Sequence, residues 1–332
     1  MDIHILDKIF LEILSNIPLM SATSTISLPI IHKIMGLNKR NYRYEEFPLI
    51  KYSTTEISCP EKLKEKIDNE ILETLMPVIS ELENYTSKEN MKLAYKNIYS
   101  LNINKNKLLS LIARGVYLPR KNKITLTSDS DYDTLCHEFL HLASAEYDSK
   151  KKISYCGFDI FSKKMKIGRG LTEGYTNLLR ERIYNIKSTS YEKELKIAKL
   201  MELFFDNPKE MERYYFHHDL PSFIHYMERF VSFKEIIGLL KDVDEMNSTD
   251  ELLSQLPHYY YIKSLIKLNK WFPRCNPTEE KKQEFNELIQ ENSFMRISLN
   301  GNKFHLKRKS VKIDMDINWK DDCNIEQSKI KK

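Results

Sequence analysis

Apolar residues recur every three or four positions over most of the chain, and this spacing predicts a predominantly helical protein. Residues 61–85 carry the clearest pattern, with Pro77 as a predicted kink or break. Residues 1–20 mix acidic with apolar side chains, which predicts a helix packed on the core rather than a cleavable signal peptide. The other predicted helices cover residues 88–101, 171–184, 191–205, 221–242, 250–271 and 278–291.

Alternating patterns typical of β-strands are fewer and shorter. Residues 122–128, NKITLTS, alternate and are rich in β-branched side chains, so they predict a strand. Residues 151–161, KKISYCGFDIF, predict a short strand or a loop. Near the C-terminus, Asn300 and Gly301 separate two alternating runs and predict a β-hairpin. We therefore predict an α+β fold in which helices predominate.

Composition supports a folded globular protein. Hydrophobic residues make up 41% of the 332 residues, and only 8 glycines and 11 prolines occur, which favours helices over a loop-rich fold. The net charge of +5 arises from 52 basic and 47 acidic residues that are interspersed. Because no compact basic stripe precedes the tail, the sequence argues against nucleic acid as a partner. Residues 303–312 form a basic arm that keeps this weaker interpretation open.

Cysteine usage and hydropathy bear on the compartment. The five cysteines are widely spaced and form no CxxC pair, as expected of reduced thiols in the cytoplasm. No apolar run approaches the ~20 residues that a membrane-spanning helix needs. We expect a cytoplasmic protein without a membrane span, while export as an effector by another route stays open.

The strongest chemical signal is the stretch TLCHEFLHLASAEYD, residues 134–148. His137 and His141 are four residues apart, so on a helix their rings share one face and can bind one metal ion. Glu138 lies about 100° around the helix, where it can reach a water beside the metal and take its proton. The alternatives are a core helix whose histidines only form hydrogen bonds, and a metal site without catalysis.

A catalytic zinc needs a third protein ligand. The patterns that place it close by fail, because Ser144 and Tyr147 stand where glycine and histidine are required and Ala145 stands where a nearer histidine would be. The remaining candidate is Glu173 in GLTEGYTNLL, at the start of the next predicted helix. The alternative for Glu173 is a first-turn glutamate favoured by the helix dipole.

Residues around Glu173 fit the same interpretation. Gly170 and Gly174 flank it and permit a close approach between helices. Asn177 lies one turn later on the same face, where its side chain can accept the other ring N–H of a metal-bound histidine.

The segment HEFLH followed by Glu173 resembles the gluzincin class of zinc metallopeptidases. The resemblance covers residues 123–182 and implies one Zn²⁺ per chain, held by His137, His141 and Glu173, with Glu138 as general base. It also implies a zincin-like fold, with a short sheet beside the active-site helix and a helical C-terminal lobe. Its edge strand, expected at residues 122–128, would pair with the substrate backbone. Members usually have an acidic residue where this chain has Asn177.

Enzymes of this class usually add a histidine or tyrosine that donates a hydrogen bond to the oxyanion. The sequence does not choose among the candidates, which are Tyr214, Tyr215, His217, His218, His225 and Tyr226.

Four regions are predicted: a helical N-terminal lobe (1–120), a catalytic core (121–187), a helical C-terminal lobe (188–292), and a β-hairpin with a basic tail (293–332). The predicted function is zinc-dependent hydrolysis of peptide bonds in a peptide or protein substrate. The alternative is a non-catalytic regulatory or partner-binding protein with a structural or vestigial zinc site. The sequence carries no signal for an oligomeric state.

Overall fold

The computed structural model describes residues 42–47, 69–105, 114–127, 132–187, 190–246, 256–290, 295–300, 303–308 and 312–315. The helix predicted within residues 1–20 lies outside them. The described residues fall into two compact units, one spanning Tyr42–Pro277 and one that contains those from Thr278 onward. Among the described residues, we find no helix with the length and apolar character needed to cross a bilayer.

Helices make up most of the larger unit, as predicted. After a short 3₁₀ turn at Tyr44–Glu46, the helices are α1 (Asn69–Tyr85), α2 (Lys92–Ile98), α3 (Tyr132–Ala143), α4 (Arg169–Tyr184), α5 (Glu192–Glu202), α6 (Pro208–Phe216), α7 (Leu220–Met227), α8 (Phe233–Glu245) and α9 (Leu256–Trp271).

One helix prediction is wrong in its extent. Residues 221–242 form two helices, because α7 ends at Met227 and α8 begins at Phe233. Ser232 explains the break: its side chain accepts a hydrogen bond from the backbone N–H of Glu235, and the Glu235 carboxylate binds back to Ser232. This capping box starts a new helix where the apolar pattern runs on without interruption.

A three-stranded sheet lies beside α3. It consists of β1 (Asn102–Lys105), β2 (Gly115–Leu118) and β3 (Lys123–Leu126), in the order β1-β3-β2. The predicted strand at residues 122–128 is therefore present, but its expected position at the edge is wrong. The backbone of β3 pairs on both sides, parallel with β1 and antiparallel with β2, and its residues 124–126 are buried. The prediction failed because alternation along one strand does not specify which strands pair with it. The edge strand next to α3 is β2.

A second, antiparallel sheet follows α3 and returns the chain to α4. Its strands β4 (Ala145–Asp148), β5 (Ile153–Cys156), β6 (Asp159–Phe161) and β7 (Lys166–Ile167) pair in sequence order. The turn into α4 requires Gly168, which has φ +92°, and an added Cβ would lie 2.1 Å from the carbonyl oxygen of Phe158. Glycine alone fits this left-handed, crowded position.

An aromatic core lies beneath the second sheet and α4. Phe158 packs against Tyr175, Tyr215 and Phe223 with ring centroids 5.0–5.8 Å apart, and these side chains are fully buried. Burial of such large rings stabilises a helix position strongly, which fixes α4 against its neighbours.

The smaller unit has α10 (Glu279–Gln290) and an antiparallel sheet of β8 (Met295–Asn300), β9 (Lys303–Arg308) and β10 (Lys312–Met315), ordered β10-β9-β8. Asn300 pairs with Lys303, which leaves two residues between the strands. The predicted hairpin is confirmed, and β10 extends it.

Candidate metal centre

Helix α3 places His137 and His141 on one buried face. Every residue from Thr134 to Ala143 is buried, so the helix is surrounded by other elements. The one-turn offset brings the two Nε2 atoms 3.0 Å apart. At the C-terminal end of α3, the Asn97 side chain donates to the carbonyl oxygens of Leu142 and Ala145 at 2.8 Å, which holds the end of the motif helix.

Helix α4 brings Glu173 to the same point. Its Oε2 atom lies 3.2 Å from Nε2 of His137 and 3.3 Å from Nε2 of His141. The side chains of His137, His141 and Glu173 expose 11%, 10% and 12% of their surface, so the three groups are shielded yet reachable by a small ligand.

Two glycines let α4 pack closely against two other helices. A Cβ at Gly174 would lie 2.2 Å from the carbonyl oxygen of Glu194, at the start of α5. A Cβ at Gly170 would lie 2.3 Å from the carbonyl oxygen of Val243, in α8. The position of Glu173 therefore depends on close backbone contact with two further helices.

The start of α4 is also held by a carboxylate. Asp244 of α8 accepts hydrogen bonds from the backbone N–H groups of Gly168 (2.9 Å) and Gly170 (2.8 Å). A buried ion pair between Arg180 and Asp133 joins α4 to α3. These contacts fix the distance between the histidine helix and the glutamate helix.

The spacing of the three donor atoms fits a small divalent ion. A tetrahedral ion with bonds of ~2.0–2.1 Å separates its ligand atoms by about 3.3 Å. The observed separations of 3.0, 3.2 and 3.3 Å lie close to this value. In the part of the chain that the structure describes, no other set of three histidine, cysteine or acidic side chains converges in this way.

Asn177 fixes the tautomer of His137. Its amide nitrogen donates to the carbonyl oxygen of Ser190 at 2.8 Å, and this contact orients the amide because a carbonyl can only accept. The amide oxygen then faces Nδ1 of His137 at 3.1 Å and accepts a hydrogen bond from its N–H group. The Nε2 lone pair of His137 is left free to point at the centre.

Cys156 is the corresponding neighbour of His141. Its sulfur lies 3.4 Å from Nδ1 of His141 and 3.4 Å from the His141 carbonyl oxygen. Sequence reasoning missed this residue, because Cys156 reaches the centre only through the pairing of β4 with β5.

The electrostatics of the centre follow from burial and close charges. Burial alone would raise the pKa of Glu173, but His141 and His137 lower it well below its usual range. Burial opposes a charge on His141, whereas the neighbouring Cys156 and Glu173 raise its pKa well above the usual value.

Glu138 lies beside β2 and close enough to His137, His141 and Glu173 for their charges to act on it. A Cβ at Gly115 would lie 3.2 Å from its Oε1 atom, so this strand runs directly beside the carboxylate. Burial raises the pKa of Glu138, while His137 and His141 and the backbone N–H of Tyr117 act in the opposite direction. A carboxylate with a raised pKa in a water-poor site is suited to accepting and returning a proton.

Tyr191 is a second residue that sequence reasoning missed. Its ring stacks on the His137 ring, with centroids 6.2 Å apart and planes inclined by 11°. The negative charge of Glu173 is the main cause that raises the pKa of Tyr191 to about 12, with burial second. The sequence gives no signal for it, because Tyr191 lies 54 positions after His137 and precedes an ordinary helix.

The tyrosine and histidine side chains that the sequence offered as oxyanion donors contact other groups of the protein instead. The hydroxyl of Tyr215 bonds with Thr176 at 2.7 Å, that of Tyr214 donates to Glu210 at 2.9 Å, and that of Tyr226 donates to the Phe204 carbonyl at 3.3 Å. His218 faces Glu146, and exposed His225 faces Glu228. His217 is half-buried, and burial lowers its pKa although the charge of Glu89 acts in the opposite direction.

The centre thus combines two imidazole nitrogens, one carboxylate oxygen and an adjacent carboxylate that is not a donor to the same point. Such a set can bind a divalent ion and move a proton beside it. Comparison with protein families, curated proteins and solved structures finds no match to this chain.

Proposed function

We propose that this protein is a zinc-dependent peptidase. The observation that carries the proposal is the convergence of His137, His141 and Glu173 within 3.3 Å of one another, with Glu138 on the same helix next to His137. The proposal agrees with the resemblance of HEFLH and Glu173 to gluzincins.

Zinc is the ion that suits this donor set best. Two imidazole nitrogens and one carboxylate oxygen are typical of catalytic zinc sites, which use three protein ligands and leave a further position open. When bound, zinc would polarise the scissile carbonyl and lower the pKa of the attacking water. Asn177 and Cys156 would hold the two imidazoles in the orientation that binding needs.

Glu138 would carry the proton transfers. Its carboxylate would accept a proton from the attacking water and then donate it to the nitrogen of the leaving amine. The raised pKa of Glu138 favours both steps, since a strongly acidic carboxyl would take up the proton poorly. The backbone N–H of Tyr117 would keep the carboxylate on the side of β2.

We further propose that the substrate lies along β2, rather than along β3. Val116 pairs with Thr125 of β3, and in an antiparallel pair alternate residues direct their N–H and C=O groups away from the partner strand. Gly115 would present its N–H and C=O groups, and Tyr117 its C=O group, to that open side, next to Glu138. An extended peptide can bind such an edge by adding a strand.

The test combines metal analysis with a mixed-sequence peptide library. Purified protein should hold one zinc per chain and cleave library peptides at internal or terminal bonds, detected by mass spectrometry. Glu138→Gln should retain the zinc and lose turnover by about 10²–10⁴-fold, the usual contribution of a general base.

Glu146→Gln is the matched control, because Glu146 also lies near a histidine but contacts Lys96 and His218 instead of the centre. It should cleave at the wild-type rate. Zinc retained without cleavage of any peptide would support the non-catalytic alternative. Unchanged turnover by Glu138→Gln would remove the role proposed for this residue.

A further inference from the structure

We propose that Tyr191 is a catalytic residue whose hydroxyl donates a hydrogen bond to the oxyanion formed from the scissile carbonyl, and that Asn177 is the residue that positions it. This inference rests on the peptidase function proposed above. It departs from the sequence-based expectation, which placed the donor among Tyr214, Tyr215, His217, His218, His225 and Tyr226.

The backbone of Tyr191 adopts a conformation that tyrosine disfavours. Its φ of +55° and ψ of +35° lie in the left-handed region, which is unfavourable for a residue with a Cβ. Such strain persists only where the surroundings enforce it, and it is concentrated at functional sites. Tyr191 is the residue directly before α5, and its ring lies on that of His137.

The Tyr191 ring reaches the donor set directly. It stacks on His137 with planes inclined by only 11°. Within the described residues, its hydroxyl makes no hydrogen bond, whereas those of Tyr214, Tyr215 and Tyr226 all have partners. Because this ring lies against that of His137 and its O–H group has no partner among the described residues, the hydroxyl is available to a ligand at the centre, where carbonyl hydrolysis develops negative charge on an oxygen.

Asn177 connects Tyr191 to the metal ligands through two hydrogen bonds. Its oxygen accepts from His137, and its nitrogen donates to the carbonyl oxygen of Ser190, the residue before Tyr191. A carboxylate at this position could accept from His137 but could not donate to Ser190. The amide therefore explains why this chain departs from the acidic residue of the gluzincins.

The first experiment separates the two roles in kinetics. Tyr191→Phe removes one oxygen and should lower kcat by about 10²-fold with KM nearly unchanged, because the hydrogen bond forms only in the transition state. Asn177→Asp should retain zinc and also lower kcat. The double variant should be little worse than Tyr191→Phe alone, since Asn177 acts through a hydroxyl that is already absent.

The second readout does not depend on turnover. A phosphinic peptide carries a tetrahedral phosphorus whose oxygen occupies the place of the oxyanion, and calorimetry measures its affinity for zinc-loaded protein. Tyr191→Phe and Asn177→Asp should each weaken this binding by about tenfold or more. Tyr214→Phe is the matched control, because it loses one tyrosine hydroxyl bonded to Glu210, and it should bind and cleave like the wild type.

The outcomes distinguish the two proposals. If the wild type cleaves peptides and Tyr191→Phe retains its kcat and phosphinate affinity, the role of Tyr191 is overturned while the peptidase stands. If the effects of Tyr191→Phe and Asn177→Asp multiply in the double variant, Asn177 acts independently and its positioning role is overturned. If the zinc-loaded wild type neither cleaves the library nor binds the phosphinate, both proposals fall.

Discussion

Two pairs of histidines in this chain differ in what surrounds them. His137 and His141 lie one turn apart on α3 and direct their Nε2 atoms to one carboxylate. His217 and His218 are adjacent, after the end of α6, and have different surroundings. Nε2 of His218 lies 3.4 Å from Glu146, which is nearly the distance of His141 from Glu173.

The pKa values of these histidines move in opposite directions. Burial lowers the pKa of His218 to about 4, because the carboxylates of Asp219 and of Glu146, which is also paired with Lys96, do not offset the loss of water. His141 is equally buried, yet its pKa is raised by Cys156 and Glu173. A buried histidine near a glutamate is therefore not a metal site by itself; convergence of several lone pairs on one point makes the difference.

The largest expected effect is on zinc affinity after removal of a histidine. His141→Gln should weaken zinc binding by more than about 100-fold, because even outer-shell partners are worth 10–100-fold. His218→Gln should leave the affinity unchanged. Competition with a chromophoric chelator measures the zinc affinity of both variants. An equal loss in both would show that the comparison of the two pairs is wrong.

Zinc affinity should also depend on pH. The pKa of His141 is raised, so below that pKa a proton occupies the site and must leave when the metal binds. The pKa of Glu173 is lowered, so this carboxylate is already ionised in the pH range in which His141 titrates and adds no proton to the count. The affinity should fall about tenfold per pH unit as pH drops below the His141 pKa, and level off above it. A pH-independent affinity, measured with the same chelator, would contradict a protonated His141.

A smaller effect concerns the backbone contact that holds Glu173. Gly174→Ala would place a Cβ 2.2 Å from the Glu194 carbonyl oxygen, so the variant should lose about 1–3 kcal/mol of unfolding free energy. Gly238→Ala in α8 meets only the Lys267 ammonium at 3.3 Å and should change stability by less than about 1 kcal/mol. Urea unfolding measures the free energy of unfolding of both variants. Equal stability would mean that α4 can move away from α5 without cost.

The smallest expected effect is at the sulfur beside His141. Cys156→Ala should weaken zinc binding by about tenfold, because His141 loses the neighbour of its Nδ1. Cys275→Ala is the control, since that sulfur donates to the Phe272 carbonyl. Chelator competition at a fixed pH measures the zinc affinity of both variants. A larger loss in Cys275→Ala would indicate a global rather than a local effect.

Local geometry made part of the centre predictable from the sequence. Residues four apart on a helix always share a face, so His137 and His141 could be placed together once α3 was recognised. Glu173 could be nominated because the next helix begins just before it, but its distance to the histidines could not. That distance depends on Gly170 and Gly174, which pack on α8 and α5.

By itself, the sequence determined the helical character of the chain, the histidine–glutamate helix, the strand at residues 122–128 and the C-terminal hairpin, because each follows from periodicity or a short turn. Only the tertiary structure decided that β2 is the edge beside Glu138, and that Cys156 and Tyr191 reach the centre. Strand order and contacts between distant segments arise from the packing of the whole core. No window of a few residues contains that information.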